Sequence, residues 1–146
     1  MREIKKIIVH CSVSSFGDAK IIDGWHRELG FSEIGYHYVI LNGKRHSKDK
    51  YCDKTDGNIE LGRDIQKQGA HCKYQNKNSI GICLIGNKSF TKKQFRSLLV
   101  LIERLKDRFG FLPVYGHYEM PSGISQGKTC PNFDMDKFRR ENTLYA

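Results

Sequence analysis

The sequence has no apolar stretch long enough to cross a bilayer. Its longest runs, Ile7-Ile8-Val9 and Leu98 to Ile102, fall far short of the roughly 20 residues that a spanning helix needs. Nor does its start read as a secretory leader: Met1-Arg2-Glu3-Ile4-Lys5-Lys6 runs into three apolar residues, where an h-region takes about 7–15. With Met1 as the true start, the protein is expected to be made and kept in the cytoplasm until something releases it. Acidic residues are outnumbered, 16 against 25 Lys and Arg, which leaves a net charge of +9. That excess favours a polyanionic partner, whether nucleic acid, an anionic membrane face or a cell-wall polymer, without choosing among them. There is no CxxC and no HExxH. The 5 cysteines (Cys11, Cys52, Cys72, Cys83, Cys130) form an odd set, which argues for thiols rather than a disulfide framework.

What is present is ordinary globular composition. Of the 146 residues, 38% are hydrophobic and 28% charged, so collagen-like and disordered readings fall away. The length suits one domain over residues 1–146, able to bury its own core. Strand and helix signals alternate, predicting an α/β domain with a mixed central sheet flanked by helices. Ile4 to His10, Tyr36 to Leu41, Ile59 to Leu61, Ser79 to Ile85 and Val114 to His117 read as strands. Asp18 can cap a helix whose apolar face is Ile21, Ile22, Trp25 and Leu29, with Gly30 as its stop. Thr91 and Gln94 make a capping box, Phe90 can staple onto Phe95, and an apolar stripe runs from Phe95 to Phe109 before Gly110. Asp134 to Asn142 reads as a terminal helix.

Two stretches break the pattern. Residues 44–58 (KRHSKDKYCDKTDGN) are polar and charged, and predict an exposed loop of mobile character. Glu119 to Phe133 carries Pro121, Gly123, Gly127 and Pro131 without periodicity, and predicts a long irregular loop that delivers Lys128 and Cys130.

His10 and His117 are placed at strand ends beside loops, where α/β sheets build sites. Two imidazoles and one thiolate can form an open zinc site, three protein ligands with a fourth position for water. The spacing leaves the alternative open: hydrogen-bonded strand-end histidines and a buried free cysteine.

A set of short segments then runs in order from Ile8 to Pro131. They are Ile8-Val9-His10-Cys11-Ser12, Gly35-Tyr36-His37-Tyr38, Gly62-Arg63-Asp64, Gly69-Ala70-His71, Asn78-Ser79-Ile80-Gly81-Ile82, Gly116-His117 and Thr129-Cys130-Pro131. Together they resemble the zinc-dependent N-acetylmuramoyl-L-alanine amidases, a family that includes phage endolysins, bacterial autolysins and animal peptidoglycan-recognition proteins. The resemblance implies a mixed sheet with a substrate groove floored by one Zn2+ per chain. By position, His10, His117 and Cys130 match the metal ligands, and Tyr36 matches a tyrosine beside the catalytic water. Lys128 matches a lysine of phage-type members, and His71 a groove histidine of unassigned role. Residues 44–58 look like an insertion.

The residue types suit amide hydrolysis. Zinc lowers the pKa of water toward about 7 and polarises a carbonyl. Lys128 or Tyr36 can face the oxyanion, and Tyr36 or His71 can pass a proton to the departing amine. His37 is expected to be structural, His26 and His46 to be non-ligands, Cys83 to be core, and Cys11 and Cys72 to border the groove. Glu119 is expected either to orient a ligand or to be solvated.

The expected function is cleavage of the bond between N-acetylmuramic acid and L-alanine by a monomeric lytic endolysin that meets peptidoglycan, and anionic envelope polymers, after release. Two rivals stand beside it. One is a non-catalytic peptidoglycan-binding module, against which the presence of Cys130 counts. The other is a basic regulatory protein acting on nucleic acid or a polymerase, which only the charge supports.

Overall fold

A computed structural model describes residues 2–142. Five strands, β1 (Lys6–Cys11), β2 (Tyr38–Ile40), β3 (Ile59–Leu61), β4 (Ser79–Leu84) and β5 (Val114–Gly116), form one sheet in the order β3-β2-β4-β1-β5. Strand β1 lies parallel to both β4 and β5, β2 is parallel to β4, and only β3 runs antiparallel, against β2. The sheet is therefore mixed, as the alternating pattern predicts. Its central strands are buried throughout, which is why they read as continuous apolar runs.

Side chains alternate across each strand, and the two faces are covered differently. Ile7 and Val9 of β1, with Ile80, Ile82 and Leu84 of β4, pack against Leu98, Leu101, Ile102 and Leu105 of α2 (Lys92–Phe109), and against Met135 and Phe138 of α4 (Met135–Glu141). On the other face Val39, Leu41, Cys83 and Ile85 meet Ile22 of α1 (Ala19–Glu28), with Trp25 beside it. Helix α1 covers only part of that face. The remainder, over Ile8 and His10 of β1 and Gly81 of β4, is left to loops.

The caps form where the sequence places them. Asp18 accepts from Ile21 N at 2.8 Å. Thr91 and Gln94 complete a reciprocal capping box, with the Phe90 and Phe95 rings 6.1 Å apart. Gln94 does more than cap. It is fully buried, and its amide donates to the carbonyls of Ile40 and Ile85 at 3.2 and 2.7 Å, tying α2 to β2 and to the end of β4.

Several expectations need correction. Helix α1 ends with Leu29 74% exposed, so the predicted apolar stripe does not all face the core. The strand expected from Tyr36 begins only at Tyr38, because Gly35 is pressed against the Ala70 carbonyl at a distance no Cβ would tolerate and the backbone there follows that contact. His117 does not end β5. It opens a 3-10 turn over His117–Glu119. The predicted irregular loop after it contains a helix, α3 (Pro121–Ser125), started by Pro121 at its first position. Residues 44–58 are exposed for most of their length but are tied down. Arg45 bridges Asp18 and Glu60 at 2.8 and 2.9 Å, and buried Asp56 accepts from Tyr51 and Thr91 at 2.6 Å each.

Gln94→Ala would orphan the Ile85 carbonyl and undo the capping box. A loss of about 2–4 kcal/mol is expected from denaturant unfolding at unchanged m-value. A loss below about 0.5 kcal/mol would show that the amide carries no such weight.

Candidate active site

The register that pairs Val9 with Gly116 brings the residues that follow, His10 in β1 and His117 just past the end of β5, side by side. Their rings lie 4.6 Å apart between centroids. Because Ile7 N donates to Pro113 O on the β5 side, Cys11 N, four residues on, faces that side too. Strand β5 has ended by then, and the amide donates instead to Cys130 Sγ at 2.9 Å. One ligand atom from each of His10, His117 and Cys130 lies within 4.8 Å of the others, and all three residues are buried.

These residues line a cavity of about 490 Å³ together with Tyr36, His71 and Lys128. All six sequence-derived candidates are thus gathered at one place. Tyr36 packs its ring 5.1 Å from that of His10. His71 Nδ1 meets His10 Nε2 at 2.8 Å, and His71 Nε2 lies 3.3 Å from Ser79 Oγ. Cys11 and Cys72 border the cavity as expected. Cys83 is fully buried in the core.

Burial sets the charge state. Desolvation holds His10 and His71 well below the ordinary imidazole range, and also lowers His117, with Lys128 adding to that effect. Desolvation, with the thiols of Cys83, Cys130 and Cys11 nearby, raises Tyr36 well above 10, so it stays a phenol and a donor. Contact with Cys11, then burial, pushes the Cys130 thiol up. The donor set fits a thiophilic divalent cation such as zinc. His117 Nε2 adds a structural reason, since it is buried with no hydrogen-bond partner among the described residues, a cost of about 1–3 kcal/mol that a positive neighbour can relieve.

The supports were less legible. His26 lines the cavity, accepts from Gly35 N at 2.8 Å and packs 5.3 Å from the Tyr36 ring. It falls four residues after Ile22 and three before Leu29 on the helix, a spacing that could have marked it. Asn76 accepts from both His71 N and Cys72 N at 2.9 Å. Glu119 neither touches the three ligand candidates nor is solvated. It pairs with Arg139 at 2.7 and 2.8 Å and accepts from Gly116 N at 2.8 Å, bracing the chain just before His117. Val13, at the rim, holds φ at 55° although it is β-branched, a strain of about 1–3 kcal/mol. His46 lies in the 44–58 loop, away from the cavity. His37 is buried outside the cavity, accepting from Gly81 N at 3.0 Å and donating to Lys67 O at 2.9 Å.

The sequence profile of the N-acetylmuramoyl-L-alanine amidases matches residues 1–133. The chain belongs to that family. Relatives of this amidase include the endolysin of Escherichia phage T7, 32% identical over 94% of this chain and 87% of its own. Among solved structures, the amidase LysC from Clostridium intestinale superposes with a TM-score of 0.79 at 24% identity, covering 97% of this chain and 87% of LysC. Bumblebee PGRP-SA gives 0.74 at 24% identity over 96% and 82%. At those identities the two structures speak for the fold alone. The amidase hydrolyses the bond between N-acetylmuramic acid and L-alanine in peptidoglycan. No helix among the described residues is long and apolar enough to cross a membrane.

A pH dependence follows from His37, whose pKa burial lowers from 6.5 to about 4. Its unfolded form binds a proton first, so stability is full above pH about 6.5 and falls as pH drops toward about 4. His10, His71 and His117 are lowered in the same direction, so His37→Asn should make the slope of the metal-free unfolding free energy across that window shallower without abolishing it. An unchanged slope would remove His37 as one of its sources.

Proposed function

We propose that the amidase is a zinc-dependent lytic endolysin and that His10, His117 and Cys130 hold the metal. The observation that supports this most is the meeting of two buried imidazoles and a buried thiol around one cavity, with one imidazole nitrogen left without a partner among the described residues. A divalent cation there supplies Lewis acidity and a lowered pKa for water. The rest of the work falls to the chain's own side chains.

Lys128 borders the cavity two residues before Cys130, on the loop that also presents the thiol. Its ammonium faces the charge that develops on the carbonyl oxygen during attack, a contribution of about 3–4 kcal/mol for one well-placed donor. Tyr36, held as a phenol, is the second donor to that oxygen and passes a proton on toward the departing amine. His71 has both ring nitrogens engaged and acts through His10. Around them, Val13, Leu29 and Phe31 give the mouth an apolar rim, suited to the lactyl and alanyl methyl groups at the scissile bond. The excess of Lys and Arg draws the protein to anionic envelope polymers, most strongly at low salt. One domain acting as a monomer completes the reading.

Digestion of purified sacculi followed by mass spectrometry tests the chemistry. Free L-alanine amino termini with intact glycan strands are expected, whereas new reducing ends would mean glycosidase action. Chelation should abolish lysis and zinc restore it; full activity in metal-free protein would remove the metal from the mechanism. Cys130→Ser should lose zinc, read by elemental analysis, while its unfolding midpoint stays near that of the metal-free parent. Stoichiometric tight zinc in that variant would exclude the sulfur. Lys128→Ala should lower kcat by about 10²–10³ with little change in KM, and an unchanged kcat would make Lys128 a surface residue.

A further inference from the structure

The hydrogen bonds behind His10 run in a fixed direction. Ser79 Oγ lies 2.7 Å from the Gln75 carbonyl and 3.3 Å from His71 Nε2. A hydroxyl has one proton and a carbonyl can only accept, so the Ser79 proton goes to Gln75. Toward His71, Ser79 can then only accept, which places the His71 proton on Nε2. A neutral His71 so protonated has its lone pair on Nδ1. That nitrogen sits 2.8 Å from His10 Nε2, so His10 must carry its own proton on Nε2 and keep its lone pair on Nδ1.

The surroundings hold this arrangement still. A Cβ at Gly81 would fall 2.6 Å from His71 Cγ and Cδ2, so the ring lies directly on the bare backbone of β4. Asn76 pins the main chain on both sides of the imidazole through His71 N and Cys72 N. Gln75 is fixed in turn by its own amide, which donates to Cys72 O at 3.0 Å.

We infer that Ser79 and His71 are positioning residues, a one-way relay that selects the His10 tautomer with Nδ1 as the nitrogen offered to the cation. A histidine whose rear nitrogen is engaged is fixed in orientation and made a better donor. This inference rests on the reading of His10 as a ligand and gives Ser79, fully buried in β4, a part in the reaction it never touches.

Two-bond ¹H–¹⁵N correlation spectra of the metal-free protein report which ring nitrogen carries each proton. The expected result is Nε2–H for both His10 and His71; a proton on His10 Nδ1 overturns the relay. Ser79→Ala should let the other His71 tautomer appear and weaken zinc binding, by competition with a chromophoric chelator, about 10–100-fold, while Ser79→Thr, which keeps the hydroxyl, should restore both. Unchanged tautomers and zinc affinity in Ser79→Ala also overturn it, and where neither variant folds, the wild-type spectra decide alone. Because the spectra need no metal, the two ideas fail separately. Predicted tautomers in a protein that binds no zinc would sink the ligand reading and leave the relay. Tight zinc with His10 protonated on Nδ1 in the metal-free state would do the reverse.

Discussion

The constraint on which the site depends is the unequal length of two parallel neighbours. Strand β1 continues to Cys11 while β5 stops at Gly116. Up to Val9 and Gly116 the two strands satisfy each other. One residue later they release two histidines at the same height, and two residues later a main-chain N–H with no strand to receive it. A buried amide without an acceptor is costly, and here the acceptor is Cys130 Sγ. The same step in the sheet thus creates the place for both imidazoles and the hook for the sulfur. Had β5 been longer by two residues, the amide would have had a carbonyl partner and the sulfur no anchor.

Uneven helix cover follows from the same economy. Helix α2 lies along one face with an unbroken stripe of leucine and isoleucine, and its Leu98, Leu101, Ile102 and Leu105 cover the strands of the larger core cluster. Helix α1 is short and covers only one side of the opposite face. Gly81, which in a helix-covered strand would be a void, provides a flat floor for the His71 ring. The face that carries the candidate site is the less completely covered by helix. The strained Val13, His117 Nε2 without a partner among the described residues, and the edge-on imidazoles of His10, His71 and His117 all lie on this poorer side.

Legibility in the sequence divides by range. Caps and amphipathic stripes are local, so Asp18, Thr91 with Gln94, and the span from Phe95 to Phe109 could be read directly. The strands could be read as apolar runs, though not their ends: His117 looks like a strand residue until the 3-10 turn beginning at it is seen. His10, His117 and Cys130 could be named as a possible set from their types and their strand-end positions, and family resemblance selected them from the other histidines and cysteines. Their convergence rests on strand register between distant segments, which no local pattern encodes. Glu119 shows the limit well. Its partner Arg139 lies 20 residues on in another helix, so an ion pair was invisible and a solvated carboxylate was the natural expectation. Helix α3, at five residues, is too short to show a period.

The polar network behind the metal candidates explains why so many neutral imidazoles can be tolerated together. Each buried ring contact needs one proton between two nitrogens, and two donors facing each other would repel. The His71 ring meets this requirement through Ser79 and His10. That chain ends on the Gln75 carbonyl, which cannot reverse its role. Protonation is therefore dictated from the rigid main chain outward to the cavity, where the last free lone pairs lie. There the proposed ligand His10 already presents its Nδ1 lone pair, while contact with Cys11, then burial, keeps the proton on the Cys130 thiol. Metal binding at the proposed site then requires displacement of that thiol proton, and the ordering of His10 has already been met by folding.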